Sequence, residues 1–232
     1  MARPERPQEY YDQIKDKFRE QRDLRLGYRP PGTDQYTSDF SGGLAKYAID
    51  PYAKDVPNRE PISDEVEVLF IGGGFSALLT SARLRERGLE SIRIVERGSD
   101  VGGTWYWNRY PGARCDVPSV EYSYSFDKDL EQEWDWTEIM AAQPEILEYA
   151  NHVADRFDLR KDIQFQTRVD SAVFDENSNR WTVVTDSGQT YTARFCVMAT
   201  GCLSVPNTPR IDGQDLSLIH ISEPTRQAEI AY

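Results

Sequence analysis

The hydrophobic pattern divides the chain into an N-terminal stretch with a helical period and a longer part in which strands and helices alternate. Tyr10, Ile14, Phe18 and Leu24 recur near a helical spacing among mixed charges, which predicts a helix from about residue 9 to residue 26. Gly, Pro, Asp and Ser dominate residues 27–61, where the periodicity disappears. We therefore expect residues 1–63 to form an N-terminal helical arm and an irregular linker.

A strand, a glycine turn, a helix and a second strand follow one another from residue 64. Residues 66–71 form a short apolar run rich in β-branched side chains, and the sequence GGGFSA occupies residues 72–77. A helical pattern then ends at Gly88, and residues 91–96 predict a strand that ends in Glu96. This is the βαβ fingerprint of a dinucleotide site in its G-x-G-x-x-A form.

The fingerprint gives several residues a physical role. Gly72 permits the tight turn, Gly74 lets the main chain approach a pyrophosphate, and the following helix presents free N–H groups to the phosphates. Glu96 is placed to accept hydrogen bonds from ribose hydroxyls, and its charge would repel a 2′-phosphate. The turn therefore favours FAD or NAD over NADP. A bare tight turn would not explain the flanking strands and the acidic residue.

A long loop rich in glycine and aromatic residues follows Glu96 at residues 97–116, RGSDVGGTWYWNRYPGARCD. Glycine amides and aromatic rings in one loop can surround a large planar ligand that carries phosphates. The alternative that Trp105, Tyr106 and Trp107 are core aromatics stays open for each ring taken alone. That alternative does not explain the glycines on both sides of them.

The remaining pattern predicts one helix and three strands. Apolar residues at helical spacing predict a helix over residues 144–157, with Pro144 in its first turn. Alternating segments at residues 168–174, 180–185 and 190–198, separated by turn sequences, predict a β-meander. We expect the last of these strands to return to a parallel sheet and to bring residues 199–201 to the ligand.

Composition narrows the function by exclusion. The chain carries 27 Lys and Arg against 39 Asp and Glu, a net charge of -12, which argues against nucleic-acid and polybasic membrane partners. No apolar run reaches the roughly 18 residues of a membrane span, and the N-terminus lacks the apolar segment of a signal peptide. Three cysteines without a C-x-x-C pair and two histidines favour neither disulfides nor a metal site. We expect a cytoplasmic protein of unknown oligomeric state.

Three sequence motifs in residues 66–126, GGGFSA, RIVERGSDVGGTWYWNRYPGARCD and EYSYSF, closely resemble the FAD-binding region of Baeyer–Villiger monooxygenases. Within that family, the motifs look like those of the phenylacetone and large-ring ketone monooxygenases. WDWTE, QPEIL, ATG and LSVP extend the resemblance over about residues 64–215. It implies an α/β fold: a Rossmann-like FAD-binding domain of the type found in flavoproteins with two dinucleotide-binding domains, with an inserted β-meander.

The resemblance also implies roles for particular residues. Thr104 and the three aromatic residues after it would line the flavin, Arg114 and the two residues after it would lie where the flavin meets NADP, and Asp116 would be catalytic by orienting an arginine near the isoalloxazine. The full set of implied FAD-binding positions is Gly72, Gly74, Ser76, Glu96, Gly103, Thr104, Trp105, Tyr106, Trp107, Arg114, Cys115, Asp116, Tyr122, Val169, Thr200 and Gly201.

The implied activity is a monooxygenation that uses FAD, NADPH and O2. In the family, NADPH reduces FAD, O2 adds at the flavin C4a atom, and the resulting peroxide converts a ketone to an ester or lactone. A flavin monooxygenase of nitrogen or sulfur atoms and a non-catalytic FAD-binding fragment are the alternatives. No second glycine fingerprint for NADPH follows Gly74. We therefore expect this chain to be an incomplete FAD-binding domain that is inactive alone.

The C-terminal residues depart from the resemblance after Asp215. Residues 216–226, LSLIHISEPTR, match an in-frame translation of a common sequencing-library transposase adapter. We expect residues 216–232 to be a non-native tail, so the FAD-binding domain would span residues 64–215.

Overall fold

The computed structural model describes residues 7–27, 49–53 and 63–204. Most of the expected linker and the expected adapter tail lie outside the described residues. The chain divides into two compact units, one made of residues 1–39 and 205–232 and the other of residues 40–204.

The described part of the first unit is a single helix, α1 (Gln8–Gly27), which confirms the helix predicted from the N-terminal periodicity. Its apolar side chains as far as Leu24 are exposed, with Phe18 exposed to 66%. Charged neighbours pair along the helix, as Arg19 does with Asp16 at 3.1 Å. Such pairs one turn apart stabilise a solvated helix by a few tenths of a kcal/mol each, about 0.2–0.5 kcal/mol.

One six-stranded sheet forms the second unit, with the order β3-β2-β1-β6-β5-β4. Its strands are β1 (Asp64–Ile71), β2 (Ile92–Val95), β3 (Ile163–Gln164), β4 (Val169–Asp175), β5 (Arg180–Thr185) and β6 (Thr190–Met198). The four strands β3, β2, β1 and β6 run parallel, and β5 pairs antiparallel with β4 and β6. The predicted α/β class and the predicted meander are both confirmed.

Strand β6 joins the meander to the parallel sheet without a break. Its first residues, 190–193, pair with β5, while residues 191–198 pair with the whole of β1. The predicted return of the last meander strand to the parallel sheet is confirmed, and the meander belongs to the same sheet.

In the described residues, four helices and two short 3-10 turns connect the strands. The helices are α2 (Phe75–Glu86), α3 (Thr104–Trp107), α4 (Lys128–Glu133) and α5 (Gln143–Arg156), and the turns are Ser119–Glu121 and Arg160–Asp162. Helices α2 and α5 agree with the predicted ranges to within a residue or two. None of the helices in the described residues is long and apolar enough to cross a membrane.

Apolar side chains pack on both faces of the sheet and make it a rigid support. On one face, side chains of β1 and β2 pack with α2 and α5, in a cluster that includes Val68, Phe70, Ile92, Ile94, Ala77, Leu78, Tyr149 and Val153. On the other face, β1 and β2 pack with the meander through Val66, Leu69, Val95, Val183, Tyr191 and Ala193. Each fully buried large apolar side chain contributes about 1.5–3 kcal/mol, so the strand ends are held firmly.

Candidate functional site

The carboxyl ends of β1, β2 and β6 lie side by side at one edge of the sheet. Ile71 at the end of β1 pairs with Val95 on one side and with Met198 on the other. The segments that follow these three strands therefore start from adjacent points. In open α/β sheets, ligands bind in the crevice beyond the carboxyl ends of such strands.

The turn after β1 needs glycine at its first position. Gly72 has φ +105°, and its N–H donates a hydrogen bond of 2.9 Å to the Val95 carbonyl. A Cβ atom on Gly72 would lie 2.6 Å from the Ala199 carbonyl oxygen and 3.4 Å from the Thr200 Cα. The turn is thus pressed against Ala199 and Thr200, which follow β6, and Thr200 and the next residue, Gly201, are exposed.

A second glycine segment lies directly on the first. A Cβ on Gly74 would lie 3.4 Å from the Gly103 Cα, and a Cβ on Gly103, which has φ +54°, would lie 3.0 Å from the Gly74 Cα. The Gly102 N–H also donates a 3.2 Å hydrogen bond to the Gly73 carbonyl. Because neither residue carries a side chain, the two main chains approach closely and both can contact a ligand's phosphates. We call this junction of residues 72–74 with Gly102, Gly103 and the start of α2 the glycine groove.

The N-terminus of α2 opens into this groove. Gly74 is its N-cap, with no side-chain cap hydrogen bond, and Ser76 in the first turn is exposed. The first N–H groups of a helix have no partners inside the helix and carry its positive dipole end. The groove therefore has the chemistry of a diphosphate site, and the residues present fit the pyrophosphate of FAD.

Glu96 closes the groove on the β2 side. Only 4% of this residue is exposed, and its two carboxylate oxygens accept hydrogen bonds from the Gly73 N–H at 2.5 Å and the Gly98 N–H at 2.6 Å. Burial raises the pKa of the Glu96 carboxyl above its usual value, although these two bonds favour the charged form. A carboxylate has about four acceptor sites, so Glu96 can hold both loops and still accept from ribose hydroxyls.

The segment after β3 is bonded to the main chain around Glu96. The Gln166 N–H donates to the Gly98 carbonyl at 2.9 Å, and the Thr167 N–H donates to the Glu96 carbonyl at 2.9 Å. Val169 begins β4 two residues later and is half-buried. The structure therefore brings Val169 into the neighbourhood of the acidic strand end.

Helix α3 carries the aromatic residues of the glycine-rich loop. Trp105 and Tyr106 are buried, at 9% and 1% exposed, whereas Trp107 is half-buried and Thr104 is exposed. The Trp105 carbonyl accepts a 2.5 Å hydrogen bond from the Gln143 side chain at the start of α5. Trp105 and Tyr106 thus anchor α3 by packing, and Thr104 and Trp107 are its accessible members.

Tyr122 links α3 to the first glycine turn. Its ring packs edge-on against Phe75, with centroids 5.9 Å apart, and against Trp105, with centroids 5.5 Å apart. Phe75 is the first residue of α2. Burial raises the pKa of the Tyr122 phenol, so the phenol stays protonated near neutral pH.

The predicted catalytic segment at residues 114–116 is attached to the chain that leads into α5. Arg114 is exposed and pairs with Glu138 at 3.0 Å. Cys115 is buried; its N–H donates to the Ala141 carbonyl at 3.0 Å and its thiol to a neighbouring carbonyl. Asp116 is exposed. These three residues form a separate group from the glycine groove, connected to it through α3 and Tyr122.

Three contributors to the site were not identified from the sequence. Ser99 and Gln143 bond to the α3 region, and Asp50 reaches it from the N-terminal linker with a 2.7 Å hydrogen bond from the Tyr106 hydroxyl. Asp50 lies in a stretch without periodicity, where no pattern gives it a partner. The described residues contain no group of three or more His, Cys, Asp or Glu side chains that could hold a metal ion.

Comparisons with known proteins agree with this geometry. A family model described as "Pyridine nucleotide-disulphide oxidoreductase" matches residues 69–231. A Baeyer–Villiger monooxygenase from Streptomyces coelicolor is 40% identical over 202 residues, which are 86% of this chain and 32% of that protein. A phenazine N-monooxygenase from Lysobacter antibioticus is 48% identical over 150 residues, which are 64% of this chain and 28% of that protein.

A solved structure gives the same fold. An oxidised steroid monooxygenase bound to NADP superposes with a TM-score of 0.61 at 58% identity, over 65% of this chain and 29% of that one. The sheet and helices described above are thus those of the FAD-binding domain of such monooxygenases. The chain spans about a third of the length of the relatives it matches.

Proposed function

Because the chain belongs to the pyridine nucleotide-disulphide oxidoreductase family, we propose that it is the FAD-binding part of a Baeyer–Villiger-type monooxygenase. The longer protein would use NADPH and O2 to convert a small-molecule ketone to an ester or lactone. We also propose that the longer protein is cytoplasmic. The observation that carries the proposed function is the groove where Gly74 and Gly103 meet beside the buried Glu96.

Each wall of the groove has a distinct task in this proposal. The N-terminus of α2 and the glycine main chains hold the pyrophosphate, and Glu96 accepts from the adenosine ribose. The accessible members of α3, the exposed Thr104 and the half-buried Trp107, face the flavin. FAD supplies the redox chemistry, while the protein binds it, orients it and limits the access of water.

Asp116 is the residue of this chain proposed to act in the reaction itself. It is exposed beside the buried Cys115, so its carboxylate is free to meet groups of the longer protein. Its proposed task is to orient a cation that stabilises negative charge developing near the flavin. A group placed in this way contributes about a hundredfold or more in rate.

Oxygenation of a nitrogen atom is the second candidate. The phenazine N-monooxygenase is 48% identical to this chain in the matched region, so the FAD-binding fold alone does not separate the two reactions. Incubating the longer protein with NADPH and either a cyclic ketone or phenazine separates them, because the products are a lactone and an N-oxide. We expect the lactone; an N-oxide with no lactone would contradict the Baeyer–Villiger assignment.

The cofactor site is tested with Gly74→Val in this chain. Gly74 has an ordinary φ of -85°, so valine is not strained there, but its methyl groups would fill the groove against Gly103. We expect purified Gly74→Val to retain no FAD. Thr182→Val is the control, because it places valine at an exposed position on strand β5, far along the sequence from the glycine turns. Normal FAD retention by Gly74→Val would contradict the proposed site.

The domain limits are part of the proposal. We place the FAD-binding domain at residues 64–215 and the adapter-derived tail at residues 216–232. Sequencing the source DNA past codon 215 in an adapter-trimmed assembly tests this division, and an unbroken natural reading frame that encodes the same tail would contradict it.

A further inference from the structure

A short piece of the N-terminal linker, residues 49–53, is fastened to the glycine-rich loop. The Asp50 Oδ2 atom accepts hydrogen bonds from the Tyr106 hydroxyl at 2.7 Å and from the Ser99 N–H at 3.2 Å. Its Oδ1 atom accepts from the Tyr52 N–H at 2.9 Å. The Oδ2 atom therefore joins two segments about 50 residues apart in the chain, while the Oδ1 atom bonds within the linker segment itself.

A stack of side chains reinforces this junction. The Arg109 guanidinium carbon lies 4.0 Å from the centroid of the Tyr52 ring and 4.9 Å from that of the Tyr106 ring. The two tyrosine rings also meet edge-on, with centroids 6.1 Å apart. The Arg109 Nε–H donates to the Tyr106 carbonyl at 2.9 Å. The negative π-faces of both rings attract the guanidinium, so Arg109 holds the two tyrosine rings together.

The Tyr106 ring transmits the position of Asp50 to the ribose end of the site. A Cβ on Gly98 would lie 2.9 Å from the Tyr106 Cε1 atom, so the ring packs directly on the Gly98 main chain. The Gly98 N–H in turn donates to the Glu96 Oε1 atom at 2.6 Å. A movement of the Tyr106 ring would therefore move a donor that orients the Glu96 carboxylate.

We propose that Asp50 is a positioning residue of the FAD site, which holds Tyr106 and through it Gly98 and Glu96 in the geometry that binds the adenosine ribose. This inference rests on the proposed function. It makes the N-terminal linker a structural part of the cofactor site rather than a passive extension. Burial, together with the hydrogen bond to Asp50, raises the pKa of Tyr106 to about 12, so the phenol donates this bond throughout the neutral pH range.

A double-mutant cycle on the full chain tests the inference, with Asp50→Ala, Tyr106→Phe and the double variant. The dissociation constants of FAD and of ADP are measured by fluorescence and calorimetric titration. We expect Asp50→Ala to weaken the binding of both ligands by about tenfold. The variant loses the charge-assisted hydrogen bond that holds Tyr106 and, through Tyr106 and Gly98, orients Glu96. We expect the double variant to be no weaker than either single variant, since the two side chains act through one bond.

Asp50→Asn keeps the size of the side chain and one acceptor oxygen. It therefore tests whether the hydrogen bond to Tyr106, rather than packing alone, supports FAD binding. The asparagine oxygen can still accept from Tyr106 and Ser99, while its NH2 group takes the place of the oxygen that accepts from the Tyr52 N–H, so this variant should recover part of the FAD affinity lost in Asp50→Ala. Glu176→Ala, which removes a carboxylate from the exposed turn after β4, is the control and should bind like the wild type. The visible circular dichroism of the bound flavin, read on the same samples, reports whether the geometry of the site is restored.

The outcomes separate this inference from the proposed function. Wild-type affinity in Asp50→Ala would overturn the inference and leave the proposed function intact. Additive losses in the double variant, or no rescue by asparagine, would overturn the route through Tyr106. A loss for FAD but not for ADP would overturn the link to Glu96. A wild-type chain that binds neither ligand would contradict the proposed function, and the inference would fall with it.

Discussion

Replacing Glu96 with glutamine changes one atom of the site and removes one acceptor from it. The carboxylate accepts from two main-chain donors, the Gly73 N–H at 2.5 Å and the Gly98 N–H at 2.6 Å, and only 4% of the residue is exposed. A glutamine side chain has one oxygen and one NH2 group. Whichever way the amide turns, one of the two N–H donors faces another donor.

The size of the effect follows from this mismatch. A buried donor without a partner costs about 1–3 kcal/mol. The neutral amide also avoids the desolvation that raises the pKa of Glu96, which offsets part of that cost. We therefore expect Glu96→Gln to lower the free energy of unfolding by about 1–2 kcal/mol. The loss in FAD affinity should be larger, about 10–100-fold, because hydrogen bonds from ribose hydroxyls to a charged acceptor are lost as well.

Two titrations measure these quantities on the same preparations. Urea unfolding followed by circular dichroism gives the free energy of unfolding without ligand, and quenching of flavin fluorescence gives the FAD dissociation constant. Glu176→Gln makes the same substitution at an exposed position and should change neither quantity. A Glu96→Gln variant that binds FAD as tightly as the wild type would refute the role of this carboxylate in the site.

Two further predictions concern pH and the reaction. Because the pKa of Glu96 is raised in the folded protein, the folded state binds its proton more tightly than the unfolded state does, so the stability advantage of the wild type over Glu96→Gln should shrink as pH rises from about 4.5. Urea unfolding across a pH series checks this, and an advantage that grows with pH would contradict it. In the longer protein, Asp116→Ala should keep FAD bound and slow ketone oxygenation by about 100-fold, since the carboxylate is exposed and apart from the glycine groove. An unchanged rate of ester or lactone formation, measured by gas chromatography, would show that Asp116 has no role in the reaction.

The first half of the fold could be predicted because local sequence determines it. The apolar run of β1, the glycines after it and the helical pattern of α2 each carry a short-range signal, and the predicted boundaries agree with the structure to within about two residues. Gly72 illustrates the reason: its positive φ and the contact with the Ala199 carbonyl allow no other residue. The positions of the glycines in the sequence therefore indicate where the main chains around the groove approach each other closely.

Elements that depend on distant contacts could not be predicted. Helix α3 is only four residues long, too short for a periodic pattern, and the packing of Trp105 and Tyr106 holds it in place. The return of β6 to the parallel sheet could be predicted, but its pairing with β1 begins already at Tyr191, which its own alternation does not reveal. Asp50 shows the same limit for the site, because its partners Tyr106 and Ser99 are brought to it only by the tertiary fold.

The central claim is that FAD binds in the groove at the carboxyl ends of β1, β2 and β6, and a crystal structure of this chain with FAD tests it most directly. The account predicts the pyrophosphate within hydrogen-bonding distance of main-chain N–H groups at Gly74 and Gly103, with the adenosine ribose on Glu96. FAD bound instead on the face of the meander, for example in the open groove lined by Phe174, Asn179, Trp181, Arg194 and Phe195, would contradict it.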